Sequence, residues 1–125
     1  MRLVRQRDKD GCGIACVATL SGVTYLYAKA EIFRRVGPRA TMLTNTSDLR
    51  RALKRLGFAV SRRLKPIRGR QLIDLKANAI LKVNPKIDGS WHWVVWNSKT
   101  RRIMDPEGRR KRPYRYVSYL LVRDS

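Results

Sequence analysis

The sequence predicts an α+β domain in which N-terminal helices pack on an antiparallel β-sheet. Segments with helical apolar spacing and glycine stops fill the first half. Short runs rich in β-branched and aromatic residues follow in the second, and helices before strands is the order that argues for this class. At 125 residues with 43% hydrophobic content, the chain is expected to form one domain, residues 1–125, with a real core.

Residues 12–20 are small and apolar, and Ser21-Gly22 closes them with a C-terminal glycine, which predicts a short buried helix. A second helix is expected over residues 25–36, with Leu26, Ala30 and Phe33 on one stripe and Gly37-Pro38 ending it. Residues 39–46 read as a loop. Ser47 is a suitable N-cap for a third helix over residues 48–56, whose Leu49, Ala52, Leu53 and Leu56 share a face opposite Arg50, Arg51, Lys54 and Arg55. Strands are expected at 58–62, 79–83, 91–96, 101–104 and 116–122, with a short helix at 71–76. The chain shows no internal repeat or low-complexity segment.

Charge is the compositional outlier: 29 Lys+Arg against 9 Asp+Glu give a formal +20. Such a surface suits acidic partners, whether nucleic acid, an anionic membrane or an acidic peptide or protein. Residues 50–70 hold nine Lys/Arg and no acid. Residues 101–115 hold seven, with Tyr114, Tyr116 and Tyr119 interleaved or just beyond, a pattern suited to base stacking or to packing on arginine. No recognised nucleic-acid module can be read. Charges at the N-terminus stand where a signal peptide needs an apolar stretch, no window suits a membrane span, and two cysteines make no disulfide framework. A cytoplasmic location with reduced thiols is the expectation.

Cys12 falls at the expected start of the first helix, between Gly11 and Gly13. Free N–H groups and partial positive charge there stabilise a thiolate, and the glycines allow a tight turn and a close substrate approach. A nucleophile needs a base, and His92 is the single histidine. It lies in the strand-like run Trp91-His92-Trp93-Val94-Val95-Trp96. A hairpin through residues 97–100 would bring Asp105 beside it, giving a Cys–His–Asp arrangement in which the carboxylate orients the imidazole and the imidazole activates the thiol. Gln6, six residues before Cys12, could fold over the helix start and donate with the Cys12 N–H to an oxyanion, a contribution of roughly 3–4 kcal/mol.

Gln6, the run Asp10-Gly11-Cys12-Gly13-Ile14-Ala15-Cys16-Val17-Ala18, His92-Trp93-Val94-Val95 and Met104-Asp105-Pro106 resemble the bacteriocin-processing peptidases. That papain-like family cleaves leader peptides after a double glycine. The resemblance implies a papain-like cysteine peptidase fold, with Gln6 as oxyanion donor, Cys12 as nucleophile, His92 as base and Asp105 as orienter. Two features differ: Gly11 stands where the family often has an acid, and the exporter to which its best-known members are fused is not in this sequence. Trp91 and Trp93, with Gly11 and Gly13, are expected to line the substrate site. No cofactor is expected. A zinc site from Cys12, Cys16 and His92 would lack a fourth nitrogen or sulfur ligand, and Cys16, one turn on, reads as structural. The same triad could also run deamidation or transamidation. A non-catalytic, nucleic-acid-binding or adaptor protein on this scaffold is the reading from another class.

Overall fold

Helix α1 (Cys12–Ser21) is apolar on every side, so it must be covered on every side. The sheet packs on one flank of α1, chiefly through strand β4 (His92–Asn97), and helices α2 (Tyr25–Ile32) and α3 (Thr46–Arg55) pack on the others. Every residue from Cys12 to Leu20 is buried as a result. Gly22 ends α1 in the left-handed conformation (φ 72°), returning its N–H to Ala18 O, a conformation that costs glycine little. The computed structural model describes residues 1–34, 41–108 and 113–125, without the side chains of residues 69 and 70.

Thr24 caps α2 by accepting from Tyr27 N at 3.1 Å. The helix ends at Ile32, short of the expected span to 36. Phe33 caps its C-terminus, its N–H donating to Lys29 O at 3.1 Å, and residues 35–38, with Gly37-Pro38, lie outside the described residues. Helix α3 begins two residues earlier than expected, because Asn45 and not Ser47 is its cap. The Asn45 side chain accepts from Asp48 N at 2.8 Å, and the Asp48 carboxylate accepts from Asn45 N at 3.0 Å. This reciprocal box satisfies two backbone donors, where a serine hydroxyl alone would satisfy one. The helix anticipated at 71–76 is a 3₁₀ segment, Gly69–Asp74.

The remaining strands are β1 (Phe58–Val60), β2 (Lys65–Pro66), β3 (Asn78–Val83), β5 (Arg102–Met104) and β6 (Tyr116–Asp124). They form one antiparallel sheet in the order β1-β6-β3-β4-β5, with β2 also pairing with β6. Side-chain alternation divides the core. Ile80, Trp93, Val95 and Val122 pack with α1 and α3, whereas Leu81, Val83, Val94 and Trp96 form a second layer closed by Ile67 and Leu72. Each fully buried aliphatic side chain contributes about 1.5–3 kcal/mol. The helices-on-antiparallel-sheet architecture is the one the sequence predicts. Among the described residues, no helix is long and apolar enough to cross a membrane.

Candidate active site

A short turn delivers Cys12 to the surface of this core. Gly11 N donates to Asp8 O at 3.1 Å. The Asp8 carboxylate in turn accepts from Tyr25 Oη at 2.7 Å and pairs with Lys29 Nζ at 3.1 Å. The Tyr25 hydrogen bond, with Lys29, holds the Asp8 carboxyl below its usual value. Residues 8–11 are thereby pinned to α2. Gly11 bears no side chain to cap α1, and the start of the helix has no side-chain cap.

His92 opens β4, and its position relative to Asp105 follows from strand register. Val95 faces Met104 across β4 and β5, so one further step sets Asp105 opposite Val94, diagonal to His92 on the same face. The two side chains meet with His92 Nε2 at 2.8 Å from Asp105 Oδ1. Asn97 shapes the hairpin that makes this register, its side-chain oxygen accepting from Lys99 N and Thr100 N. Burial alone would lower the pKa of the ring. Its hydrogen bond to Asp105 and its interaction with Cys12 outweigh burial and raise it from 6.5 to about 10. Burial likewise opposes ionisation of Asp105. Donors from His92, Tyr114 and Glu107 N prevail and hold its carboxyl below the ordinary range. Cys16, fully enclosed one turn after Cys12, has its thiol pushed well up by burial.

Gln6 sits on the segment leading into this turn. Its N–H donates to Pro106 O at 3.2 Å, joining the segment to the Asp105 loop. Its side-chain amide donates to Asp8 O at 3.2 Å and Lys9 O at 2.9 Å. The amide nitrogen is thus held at the base of the Cys12 turn and engaged with backbone carbonyls.

Two lobes of an open cleft meet at Cys12. One, of about 530 Å³, is lined by His92, Lys9, Asn84, Lys86 and Glu107. The other, of about 340 Å³, is walled by Thr44, Asn45, Asp48, Asp88 and Trp93. Asp10, Leu43, Ser90 and Trp91 border both. The Trp91 and Trp93 rings meet edge to face at 5.5 Å, and Lys82 Nζ stands 4.0 Å over the Trp91 ring. Trp93 is held by its Nε1–H donating to Thr44 O at 3.3 Å. Gly11 and Gly13, expected at the substrate site, are buried and line neither lobe. A Cβ on Gly11 would lie 2.0 Å from Tyr25 Oη, and one on Gly13 would lie 1.9 Å from Thr44 Oγ1. What these glycines permit is close packing of the turn and helix start. His92, Asp105 and Glu107 bring ligand atoms within 4.8 Å of one another, but His92 and Asp105 are already bonded to each other.

Several cleft residues carried no signal in the sequence. Leu43, Thr44 and Asn45 come from a segment read only as a loop, and Asn84 and Ser90 from the β3–β4 connection. Tyr114 donates to Asp105 Oδ2 at 2.5 Å. Eight residues, among them a basic run, lie between the two in sequence. Tyr114, Tyr116 and Tyr119, noted as candidate stacking residues, pack partly buried against the second core layer, so their aromatic surface is largely spent inside the fold. Arg109, Arg110, Lys111 and Arg112 of the second basic block lie outside the described residues.

No family model and no curated protein matches the chain. Its structure is similar to the peptidase domain of Streptococcus ComA, described as a bi-functional ABC transporter involved in quorum sensing. The TM-score is 0.70 at 19% identity, over 99% of this chain and 98% of that domain. The chain therefore has the papain-like peptidase fold, with its helices packed on an antiparallel sheet.

Proposed function

We propose that this chain is a cysteine peptidase in which Cys12 is the nucleophile, His92 the acid–base group and Asp105 its orienter. The observation that carries the reading is the His92 Nε2–Asp105 Oδ1 hydrogen bond at 2.8 Å, with His92 and Cys12 lining the same cleft lobe and the two lobes meeting at Cys12. Asp105 engages Nε2 of the ring, which leaves Nδ1 for the sulfur. With the ring protonated, both nitrogens donate, one to each anionic partner.

The thiolate attacks the carbonyl carbon of a peptide bond, and the carbonyl oxygen becomes an anion held by the Cys12 N–H; the Gln6 amide, which donates to Asp8 O and Lys9 O in this structure, joins it by exchanging one of those bonds. His92 gives its Nδ1 proton to the leaving amine as the C–N bond breaks, leaving a thioester. Water, deprotonated by His92, then attacks that thioester. The S–C bond breaks, the acid product leaves, and the thiolate–imidazolium pair returns. A peptide substrate accords with the activity named for the Streptococcus domain.

An alkylating reagent at neutral pH should label Cys12 and spare Cys16, and His92→Ala should slow the Cys12 reaction by about 10²-fold or more. Equal, slow labelling of both thiols would overturn the assignment.

A further inference from the structure

We propose that Tyr114 is a positioning residue of this site, acting on His92 through Asp105. The inference rests on the peptidase reading above. Asp105 is buried, and its two oxygens are divided between partners. Oδ1 accepts from His92 Nε2 at 2.8 Å and from Glu107 N at 2.9 Å, while Oδ2 accepts from Tyr114 Oη at 2.5 Å. The first two bonds hold one oxygen and leave the carboxylate free to swing about it. The tyrosine hydroxyl holds the other oxygen and so fixes the plane in which Oδ1 meets the imidazole. Among the described residues it is the one donor to Asp105 that belongs neither to the triad nor to the Asp105 turn.

The position of Tyr114 is itself determined from outside the turn. Its ring lies 6.1 Å from that of Tyr116, the first residue of β6, and it packs on the second core layer. Arg115, between the two tyrosines, is tied to Asn84 at the end of β3. Asn84 Oδ1 accepts from Arg115 N at 2.9 Å, and Asn84 N donates to Arg115 O at 2.9 Å. The hydroxyl therefore reaches Asp105 from the middle of the sheet, and the orientation of the carboxylate is set jointly by the β4–β5 hairpin and the β3–β6 pair.

A donor to a carboxylate favours its ionised form, so removing the hydroxyl makes Asp105 easier to protonate. Where Asp105 is protonated, the imidazolium loses its counter-charge and Cys12 loses reactivity. The test is the pH dependence of Cys12 alkylation, which needs no knowledge of the substrate. Tyr114→Phe should move the acid limb of the rate up by roughly one pH unit and slow alkylation about tenfold within that limb. In an Asp105→Asn background the same substitution should have little further effect, because the two residues act as one unit. A fluorinated tyrosine at position 114 keeps the ring, donates more strongly, and should move the limb down. Cys16 reports the fold, since it stays unlabelled while the core is closed. If neither substitution moves the limb, or if Tyr114→Phe is additive with Asp105→Asn, Tyr114 only packs and the proposal fails. Equal reactivity of Cys12 and Cys16 in the unsubstituted protein would instead remove the peptidase reading itself.

Discussion

Cys12 and Cys16 are one helical turn apart and both buried, yet their surroundings differ. Cys12 borders both cleft lobes, with a histidine beside it; Cys16 is sealed, and its thiol is driven towards the neutral form. The same reasoning predicts the pH behaviour of the site. His92 holds its proton up to about pH 10, so turnover, which needs that proton for the leaving amine, should persist through neutral and mildly alkaline pH and fall as the imidazolium is lost near 10. A rate profile with its alkaline limb near 6.5 would contradict this. Asp105→Asn should leave the thiol present and reduce turnover by two to four orders of magnitude, because the ring loses its orienting charge. Gly13→Ala belongs at this scale too. Its Cβ would meet Thr44 Oγ1 at 1.9 Å and Leu49 at 3.1 Å, so a thermal melt should show a loss of about 1–3 kcal/mol.

At the scale of elements, the cleft depends on how helix starts and hairpins are closed. The Asn45–Asp48 box starts α3 and also fixes residues 43–45, which border the cleft. Asn45→Ala should cost about 1 kcal/mol in chemical denaturation and loosen that wall. The first helix, the hairpin and the pairing of His92 with Asp105 were legible in the sequence, because each rests on local signals: glycine punctuation, two-residue alternation and a short turn of fixed register. Tyr114 and the 41–45 wall were not. Their places come from the β3–β6 pairing and from Met42 N donating to Asp10 Oδ2 at 3.0 Å, contacts between segments far apart in the chain. By residue type Asn45 and Ser47 are equally good caps, and the reciprocal bonding of Asn45 with Asp48 decides between them. β1 ends at Val60, short of the expected 62: Ser61 N still donates to Leu121 O at 3.0 Å, but Leu121 N turns to the Ser61 side-chain Oγ, which accepts at 3.0 Å.

For the whole molecule, the charge imbalance of 29 basic against 9 acidic residues is sharpened by where the acids go. Asp8 is engaged by Tyr25 and Lys29, Glu31 by Arg34 and Arg55, Asp48 by Arg51, and Asp105 by His92 and Tyr114. These carboxylates organise the fold and offer little to offset the remaining cations. Self-repulsion is the consequence, and it is screened by salt over about 10 Å at 0.1 M ionic strength. The melting temperature should therefore rise as salt is raised from low to physiological concentration, whereas a fall would mean that attractive pairs dominate. The site adds its own pH dependence. The His92 contribution is complete below the unfolded value of 6.5 and is lost as pH rises towards about 10. The Asp105 contribution is present above 3.8 and is lost as pH falls below it. Because His92 is the only histidine, its imidazole signal in a proton NMR titration is unambiguous and tests the coupled Cys12–His92–Asp105 unit directly. The inflection should lie near pH 10 and fall markedly in Cys12→Ala and in Asp105→Asn; an inflection near 6.5 that neither substitution moves would contradict the coupling on which the peptidase assignment stands.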